Sequence, residues 1–379
     1  MDTVVAVFGG SAPFIATAMI AATENSLAPG FLLIGAALIS SLVMVETAKQ
    51  PLHDVYSQGS QGGGGLRTPP PTDQVVLQRG KDPAPGASRR KVNVVSTESE
   101  STGTRVPESS ADLSRLSLNQ VTTRRWGLRE AVEGCVAAGV PIISPWRDKV
   151  AEIGLPEAAR ILRESGLRVH SLHIGGDFPG ATEAERRASN EDNRRAIEEV
   201  VELGADNLTL RAGPAPDRDI DAARAMVERG IEQLIPHAEE SGVKLAVEPF
   251  HPALVGRSVL VTLRQANDLL DRLGSPRVGV IIDAYHVWWD PELYAQIERA
   301  AGRIEGFHID DWPVPNKDPL MSRAMMGDGV IELRRIRSAI DATGYSGPIE
   351  VELFNQTYWD MPGDEVLALM KDRYVRHVL

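Results

Sequence analysis

The sequence predicts an α/β protein built as a (β/α)8 barrel over residues 113–379, preceded by a hydrophobic two-helix hairpin (1–50) and a disordered linker (51–112). Three observations carry this. The first fifty residues hold two long uncharged stretches, the next sixty are rich in Gly, Pro, Ser and Thr, and from about residue 115 short apolar runs alternate with longer amphipathic stretches. Length does not require a second folded domain, because one α/β barrel occupies about 250 residues.

Within the hairpin region, residues 3–23 carry no charge, Glu24 interrupts, and residues 25–45 are again uncharged. Each stretch approaches the roughly 20 apolar residues that span a hydrocarbon core, and ENSLAPG is a short enough connection for a hairpin. A cleaved signal peptide would need a basic start and one shorter apolar stretch, whereas Asp2 stands here before two. The segments FGGSAPFIATAMIAAT and APGFLLIGAALISSLVMVETAKQPL resemble the last two transmembrane helices of metabolite:proton symporters of the major facilitator superfamily, over residues 1–52. Two such helices cannot build a transport path, so the resemblance implies either a membrane tether or a transporter tail read through into an enzyme. With a genuine hairpin, Arg67, Lys81, Arg89, Arg90 and Lys91 would hold the barrel on the cytoplasmic side. The linker, with GSQGGGG and RTPPPTD, has too few apolar residues to pack; VNVVST near Val92 is its one strand-like stretch.

Eight apolar runs follow: RLSLNQ, PIISPW, RVHSLHI, NLTLRAG, KLAVEPF, VGVIIDAYH, IEGFHIDDW and PIEVELF. Helical stretches such as NRRAIEEVVELG and AARAMVERGIEQLIPHAEESG separate them, which is the pattern of βα units around a parallel sheet. The runs read as nearly continuous apolar strands covered on both faces. A doubly wound open sheet is the rival, but the first βα turn, NQVTTRRWG, lacks a glycine-rich phosphate fingerprint. The sole cysteine, Cys135, falls in an apparent helix and reads as a buried packing residue. A net charge of -12, from 52 acidic against 40 basic residues, argues against nucleic acid and for small-molecule chemistry.

Polar groups at the C-terminal ends of barrel strands are where such folds place reactive residues. Four consecutive runs end that way: AVEPF in Glu248, IIDAYH in Asp283, GFHIDDW in His308 and VELFN in Glu352. Carboxylates at the mouth of a core are costly when unpaired, and a shared cation removes that cost. Three carboxylates and one imidazole suit Mn²⁺, Mg²⁺ or Co²⁺ better than a structural zinc; ordinary salt bridges and caps are the bland alternative.

EPF, IIDAYHVWW, GFHIDDW and IEVELF resemble the metal-binding strands of the xylose isomerase-like TIM barrels. That superfamily includes sugar phosphate isomerases and epimerases, ketose 3-epimerases, hydroxypyruvate isomerases, inosose dehydratases and apurinic-site endonucleases. The resemblance implies one divalent metal, Mn²⁺ first, on Glu248, Asp283, His308 and Glu352. Glu248 and Glu352 would also be the acid/base pair, while His286 and Arg323 match positions that hold substrate oxygens. The implied activity is isomerisation or epimerisation of a sugar, cyclitol or keto-polyol, by proton abstraction beside a metal-bound carbonyl through an enediolate. Loss of a β-leaving group from the same enolate would make a dehydratase or lyase, acting on an inosose or, like C-glycoside deglycosidase subunits, on a 3-keto-glycoside. The deglycosidase alternative would bring a partner subunit; a homo-oligomer is equally compatible. An endonuclease is disfavoured, because LTLRAG offers no histidine on the fourth strand and RAMMGDG offers no Asp-x-His pair. A noncatalytic sugar-binding barrel would leave a complete Glu/Asp/His/Glu set unused.

Further candidates surround this set. His173 or His170 in RVHSLHI can face the mouth, but only one parity does so; His173 and Trp146 are the substrate-contact candidates. Arg147 and Arg211 could wall the pocket, and Trp288, Trp289 and Trp312 read as wall and loop packing. Asp310 or Asp311 could orient a ligand, although a loop or cap hydrogen bond is the plainer role. MMGDGVIEL, with Gly327 and Gly329, reads as a turn into the seventh helix. No phosphate-binding signature follows the last two strands, so the substrate is expected to be unphosphorylated.

Overall fold

All eight apolar runs form strands, one of them in two pieces. In the computed structural model, which describes residues 111–379, these are β1 (Leu116–Asn119), β2 (Ile142–Ser144), β3 (Arg168–Val169), β4 (Ser171–Gly176), β5 (Asn207–Arg211), β6 (Lys244–Glu248), β7 (Val278–Asp283), β8 (Ile304–Ile309) and β9 (Ile349–Val351). The expected hairpin, its transporter-like resemblance and nearly all of the linker lie outside the described residues. Among the described residues no helix is long and apolar enough to cross a membrane.

Every strand pair is parallel. The order is β3-β2-β1-β9-β8-β7-β6-β5-β4, and its two edges are consecutive pieces of one segment, separated only by His170. That residue bridges the seam: its N–H donates to Ile143 O (3.0 Å), and its C=O accepts from Asn207 N (3.2 Å). The sheet therefore rolls up as a (β/α)8 barrel, with the third run of the sequence as its divided strand.

Expectation and structure differ over the strand faces. Leu116, Leu118, Leu208, Leu210, Leu245, Val247, Phe307, Ile309, Ile349 and Val351 join the apolar core shared with the surrounding helices. The residues between them alternate to the other face. Ser117, Asn119, Ser171, His173, Thr209, Glu248, His308 and Glu350 are buried as well, but inside the barrel. The runs are thus not continuous apolar strands. They are two-faced strands with a buried polar side, and the branched apolar filling usual in such barrels gives way to hydrogen-bonding groups.

Around the sheet stand α1 (Leu128–Ala138), α2 (Arg147–Ile153), α3 (Leu155–Ser165), α4 (Glu183–Leu203), α5 (Ile220–Ser241), α6 (Leu263–Leu273), α7 (Ala284–Val287), α8 (Leu293–Arg299), α9 (Leu333–Ala342), α10 (Gln356–Asp360) and α11 (Gly363–His377). The longer ones carry their own start and stop signals. Thr182 caps α4 by accepting from Glu185 N (3.2 Å), and the Glu185 carboxylate accepts from Thr182 N (3.1 Å). Such a capping box is worth about 1 kcal/mol. Ile197, Val200 and Leu203 then recur on one face and are buried, each stabilising the fold by about 1.5–3 kcal/mol. Gly204 ends the helix at φ 68°. At the end of β4, Gly176 has φ 107°, and a Cβ there would lie 1.8 Å from Arg211 O, so the approach of β4 to β5 requires glycine.

Cys135 is fully buried in α1, and burial pushes its thiol up to about 12. Because the thiolate is the reactive form and no other cysteine exists, the native protein at pH 8 is expected to resist a thiol reagent. One equivalent should react once denaturant unfolds the barrel; stoichiometric labelling without denaturant would show that α1 does not pack as described.

Candidate active site

The four strand-end residues meet. Glu248 and Asp283 close β6 and β7, His308 lies in β8, and Glu352 follows β9 by one residue. One ligand-type atom of each falls within 4.8 Å of the others, and all four residues are buried. His308 Nδ1 lies 3.2 Å from Glu248 Oε1 and 3.4 Å from Glu352 Oε2. Asp283 uses one oxygen to cap α7, accepting from Tyr285 N at 2.8 Å, and turns the other toward Arg323.

Electrostatics at this end of the barrel are unbalanced. Glu248, Asp283, Asp310, Glu350 and Glu352 are buried carboxylates, against one buried guanidinium, Arg323. Arg323 Nη1 donates to Asp283 Oδ2 (3.0 Å), Asp310 Oδ2 (3.0 Å) and Glu352 Oε2 (3.2 Å). Its plane stacks over Tyr285 and Phe354 at 4.8 and 5.0 Å. Burial, with Glu248 and Glu352 reinforcing it against Arg323, pushes Asp283 up to about 6. Burial also opposes ionisation of Glu352, but Arg323 and His308 outweigh it and hold that carboxyl at about 2. For His308 burial favours the neutral ring; Glu350, Glu248 and Glu352 overcome it and raise the imidazole well above its ordinary value.

Glu248 Oε1 and His308 Nδ1 are buried without a hydrogen-bond partner. Unpaired polar atoms are costly in a core, and here they cluster with Asp283 and Glu352. A hard divalent cation fits that donor set of three carboxylates and an imidazole.

The other expected residues surround the cluster. Arg323 Nη2 lies 3.1 Å from His286 Nε2, and His286 stacks on Phe250 at 4.5 Å. Burial, then Arg323, His251 and His308, holds His286 well below its usual value, so it is neutral. The inward parity of the third run belongs to His173, which lies beside the His308 ring at 5.5 Å and under the Trp146 ring at 5.6 Å. Trp146 Nε1 donates to Asn119 Oδ1 (2.6 Å). Asn119 Nδ2 in turn donates to Glu350 Oε1 (2.8 Å) and Glu352 Oε1 (3.2 Å).

Two suggested wall residues are employed elsewhere. Arg147 pairs with Asp192 and Glu199, both at 2.7 Å, and ties α2 to α4; Arg211 pairs with Asp177. Trp312 stacks on His251 at 4.5 Å, and Trp289 Nε1 donates to His286 O (2.9 Å), which is rim packing. Trp288 faces Trp312 at 5.9 Å. Asp311 takes the loop role: it accepts from Trp312 N, Gly327 N and Ile331 N at 2.8–2.9 Å, fixing the turn in which Gly327 has φ 90°. Asn119 and Glu350 escaped the sequence analysis. The signal for Glu350 was present, since it stands two residues before Glu352 and strand alternation sends both inward. An open cleft of about 630 Å³ lies at the opposite, N-terminal ends of β6 to β8, bordered by Lys244, Asp271, Arg303 and Glu305. Those charges pair with one another, so this cleft is not where the chemistry-bearing groups converge.

A parallel barrel with a carboxylate and histidine cluster at its strand ends defines a class. The xylose isomerase-like TIM barrel family matches residues 130–373, and the chain belongs to that family. The crystal structure of protein SMc04130 from Sinorhizobium meliloti superposes with a TM-score of 0.69 at 48% identity, covering 70% of this chain and 99% of that one. Inosose isomerase of Halalkalibacterium halodurans is 30% identical over 149 residues, 37% of this chain and 50% of that protein. A 3-dehydroshikimate dehydratase of Pseudomonas aeruginosa is 25% identical over 244 residues, 62% of this chain and 37% of the relative. The chain thus spans half or less of the length of these two curated relatives.

Replacing Asp311 by Ala removes three hydrogen bonds to one buried acceptor. The expected cost is about 3 kcal/mol in urea unfolding. Because the exposed Lys317 lies in the loop that Asp311 anchors, trypsin should cut there much faster than in wild type; equal cleavage rates would contradict the anchoring.

Proposed function

We propose that this chain is a divalent-metal-dependent isomerase or epimerase of an unphosphorylated sugar, cyclitol or small keto-polyol. The observation that carries the reading is the convergence of Glu248 and Glu352 on His308 Nδ1, at 3.2 and 3.4 Å, in one cluster with Asp283. Glu248, Asp283, His308 and Glu352 would hold the ion, which supplies Lewis-acid stabilisation of negative charge on substrate oxygens. Mn²⁺ is the first choice, with Mg²⁺ or Co²⁺ as substitutes.

The chain's own groups account for the proton movements. Glu352 is ionised at neutral pH and can take a proton from the carbon beside a carbonyl, leaving an enediolate. Glu248, after taking a proton from the substrate hydroxyl or from solvent, delivers it to the same carbon for an epimer or to its neighbour for an aldose–ketose exchange. Arg323 and neutral His286 donate hydrogen bonds to the substrate's oxygens, and His173 and Trp146 line the opposite side. A dehydratase is the second reading, supported by the similarity to 3-dehydroshikimate dehydratase over 244 residues; it differs only in the fate of the enediolate. The same proposal divides the chain into a hairpin (1–50), a linker (51–112) and the enzyme (113–379).

The test uses the purified full chain. Elemental analysis should find one divalent ion per chain. Wild type should incorporate solvent deuterium into one member of a panel of ketoses, inososes and keto-acids, and both Glu248→Gln and Glu352→Gln should slow that exchange by about 10²–10⁴-fold. A folded protein that binds no metal, or glutamine variants that exchange at the wild-type rate, would sink the reading.

Metal affinity should depend on pH in two regimes, because a metal ion competes with protons for its ligands. Above pH 6 Asp283 is already ionised and only His308, with its raised value, must surrender a proton. Below pH 6 Asp283 must do so too. The apparent dissociation constant for Mn²⁺ should therefore rise about tenfold per unit as pH falls toward 6, and about a hundredfold per unit below it. A pH-independent constant between 5 and 8 would contradict these ligands.

A further inference from the structure

Glu350 stands two residues before Glu352 on β9, in register with His308 on β8. It is fully buried, and its carboxylate is saturated. Oε1 accepts from Asn119 Nδ2 (2.8 Å) and faces His173 Nε2 (3.1 Å), while Oε2 accepts from Ser117 Oγ (3.1 Å) and from Ser144 Oγ. These donors come from β1, β2 and β4, on the side of the barrel away from Glu248 and Asp283. Strand register sets the fifth neighbour, because Glu350 in β9 stands opposite His308 in β8.

His308 thus has two unlike edges. Nδ1 faces Glu248 and Glu352, at 3.2 and 3.4 Å. Nε2 faces Glu350 Oε1 at 3.6 Å and, like Nδ1, has no hydrogen-bond partner. That separation is longer than a hydrogen bond, yet an ionised carboxylate fixed by four donors still favours an N–H directed at it.

We propose that Glu350 is a positioning residue for the metal centre, holding His308 as its Nε2–H tautomer so that the Nδ1 lone pair turns toward Glu248, Asp283 and Glu352. A ligating histidine is commonly oriented by an acceptor on its other nitrogen, and loss of that acceptor costs about 10–100-fold in metal affinity. Here the acceptor is built into the barrel floor, and Ser117, Asn119, Ser144 and His173 keep it from moving. The same atoms exclude a different use of this layer. His173, His308 and Glu350 together resemble a second cation site, but both Glu350 oxygens already have two partners each, and an ion would have to displace them.

The inference rests on the metal centre proposed above, and the experiment separates the two. Full-length wild type, Glu350→Ala and Glu350→Gln are titrated with Co²⁺, and the His308 ring is observed by long-range ¹H–¹⁵N spectra in the Zn²⁺-loaded wild type. Wild type should bind one ion and show a His308 Nε2–H that exchanges slowly. The Ala variant should bind Co²⁺ about 10–100-fold more weakly, and the Gln variant, which keeps an oxygen acceptor but loses the charge, should lie between. Should the Ala variant not fold, the Gln variant decides alone, and a dissociation constant within about twofold of wild type overturns the proposal. Two ions per wild-type chain, or a His308 whose ring proton sits on Nδ1, would overturn it as well. Failure of wild type to bind Co²⁺ at all would instead overturn the metal centre itself.

Discussion

The inward faces of β6 to β9 carry charge that the barrel must bury, and the surrounding architecture answers that demand. Five carboxylates are taken out of water beside one guanidinium, at a cost of several kcal/mol for each one left unpaired. Asp310 and Asp283 draw Arg323 in from a long loop. Asn119, Ser117 and Ser144 give up the hydrophobic filling that β1 and β2 would otherwise supply. Protein partners run out at Glu248 Oε1 and the His308 ring nitrogens, and that is where a cation fits. The polar interior, the buried arginine and the metal-suited cluster are three responses to one excess of negative charge.

Arg323 shows how tightly the parts are joined. Its backbone N–H donates to Phe354 O (3.3 Å), and its C=O accepts from Asn355 Nδ2 (2.9 Å), so the loop after β8 is fastened to the segment after β9. Asp311 fastens the far end of that loop. The guanidinium therefore reaches the carboxylates from a fixed base. His286, one turn beyond Asp283, is held neutral by burial and by the same guanidinium, and its Nδ1 has no partner.

Much of this was legible in the sequence because strand-end placement is a local signal. An apolar run closed by one ionisable residue marks both the strand and its end, so Glu248, Asp283, His308 and Glu352 could be named without coordinates. The strand faces were harder. Runs such as LSLN and NLTLR contain small polar residues that count little toward hydropathy, so two-faced strands read as continuous apolar ones. Glu350 was passed over for a related reason: beside Glu352 it looked like one acidic patch, although alternation aims both side chains inward at different depths. The ion pairs of Arg147 and Arg211 were not legible, because their partners Asp192, Glu199 and Asp177 are brought to them only by tertiary packing.

The seam at His170 falls within the half of the barrel that supplies neutral donors. Between residues 116 and 176 the inward polar groups are serine, asparagine and histidine; between 248 and 352 they are carboxylates, with His286, His308 and Arg323 among them. Glu350 apart, the neutral framework and the charged cluster are thus written in separate stretches of one gene. Drift in the first stretch would alter how rigidly the centre is held, and drift in the second would alter what it can hold. A lineage could retune one property while leaving the other intact.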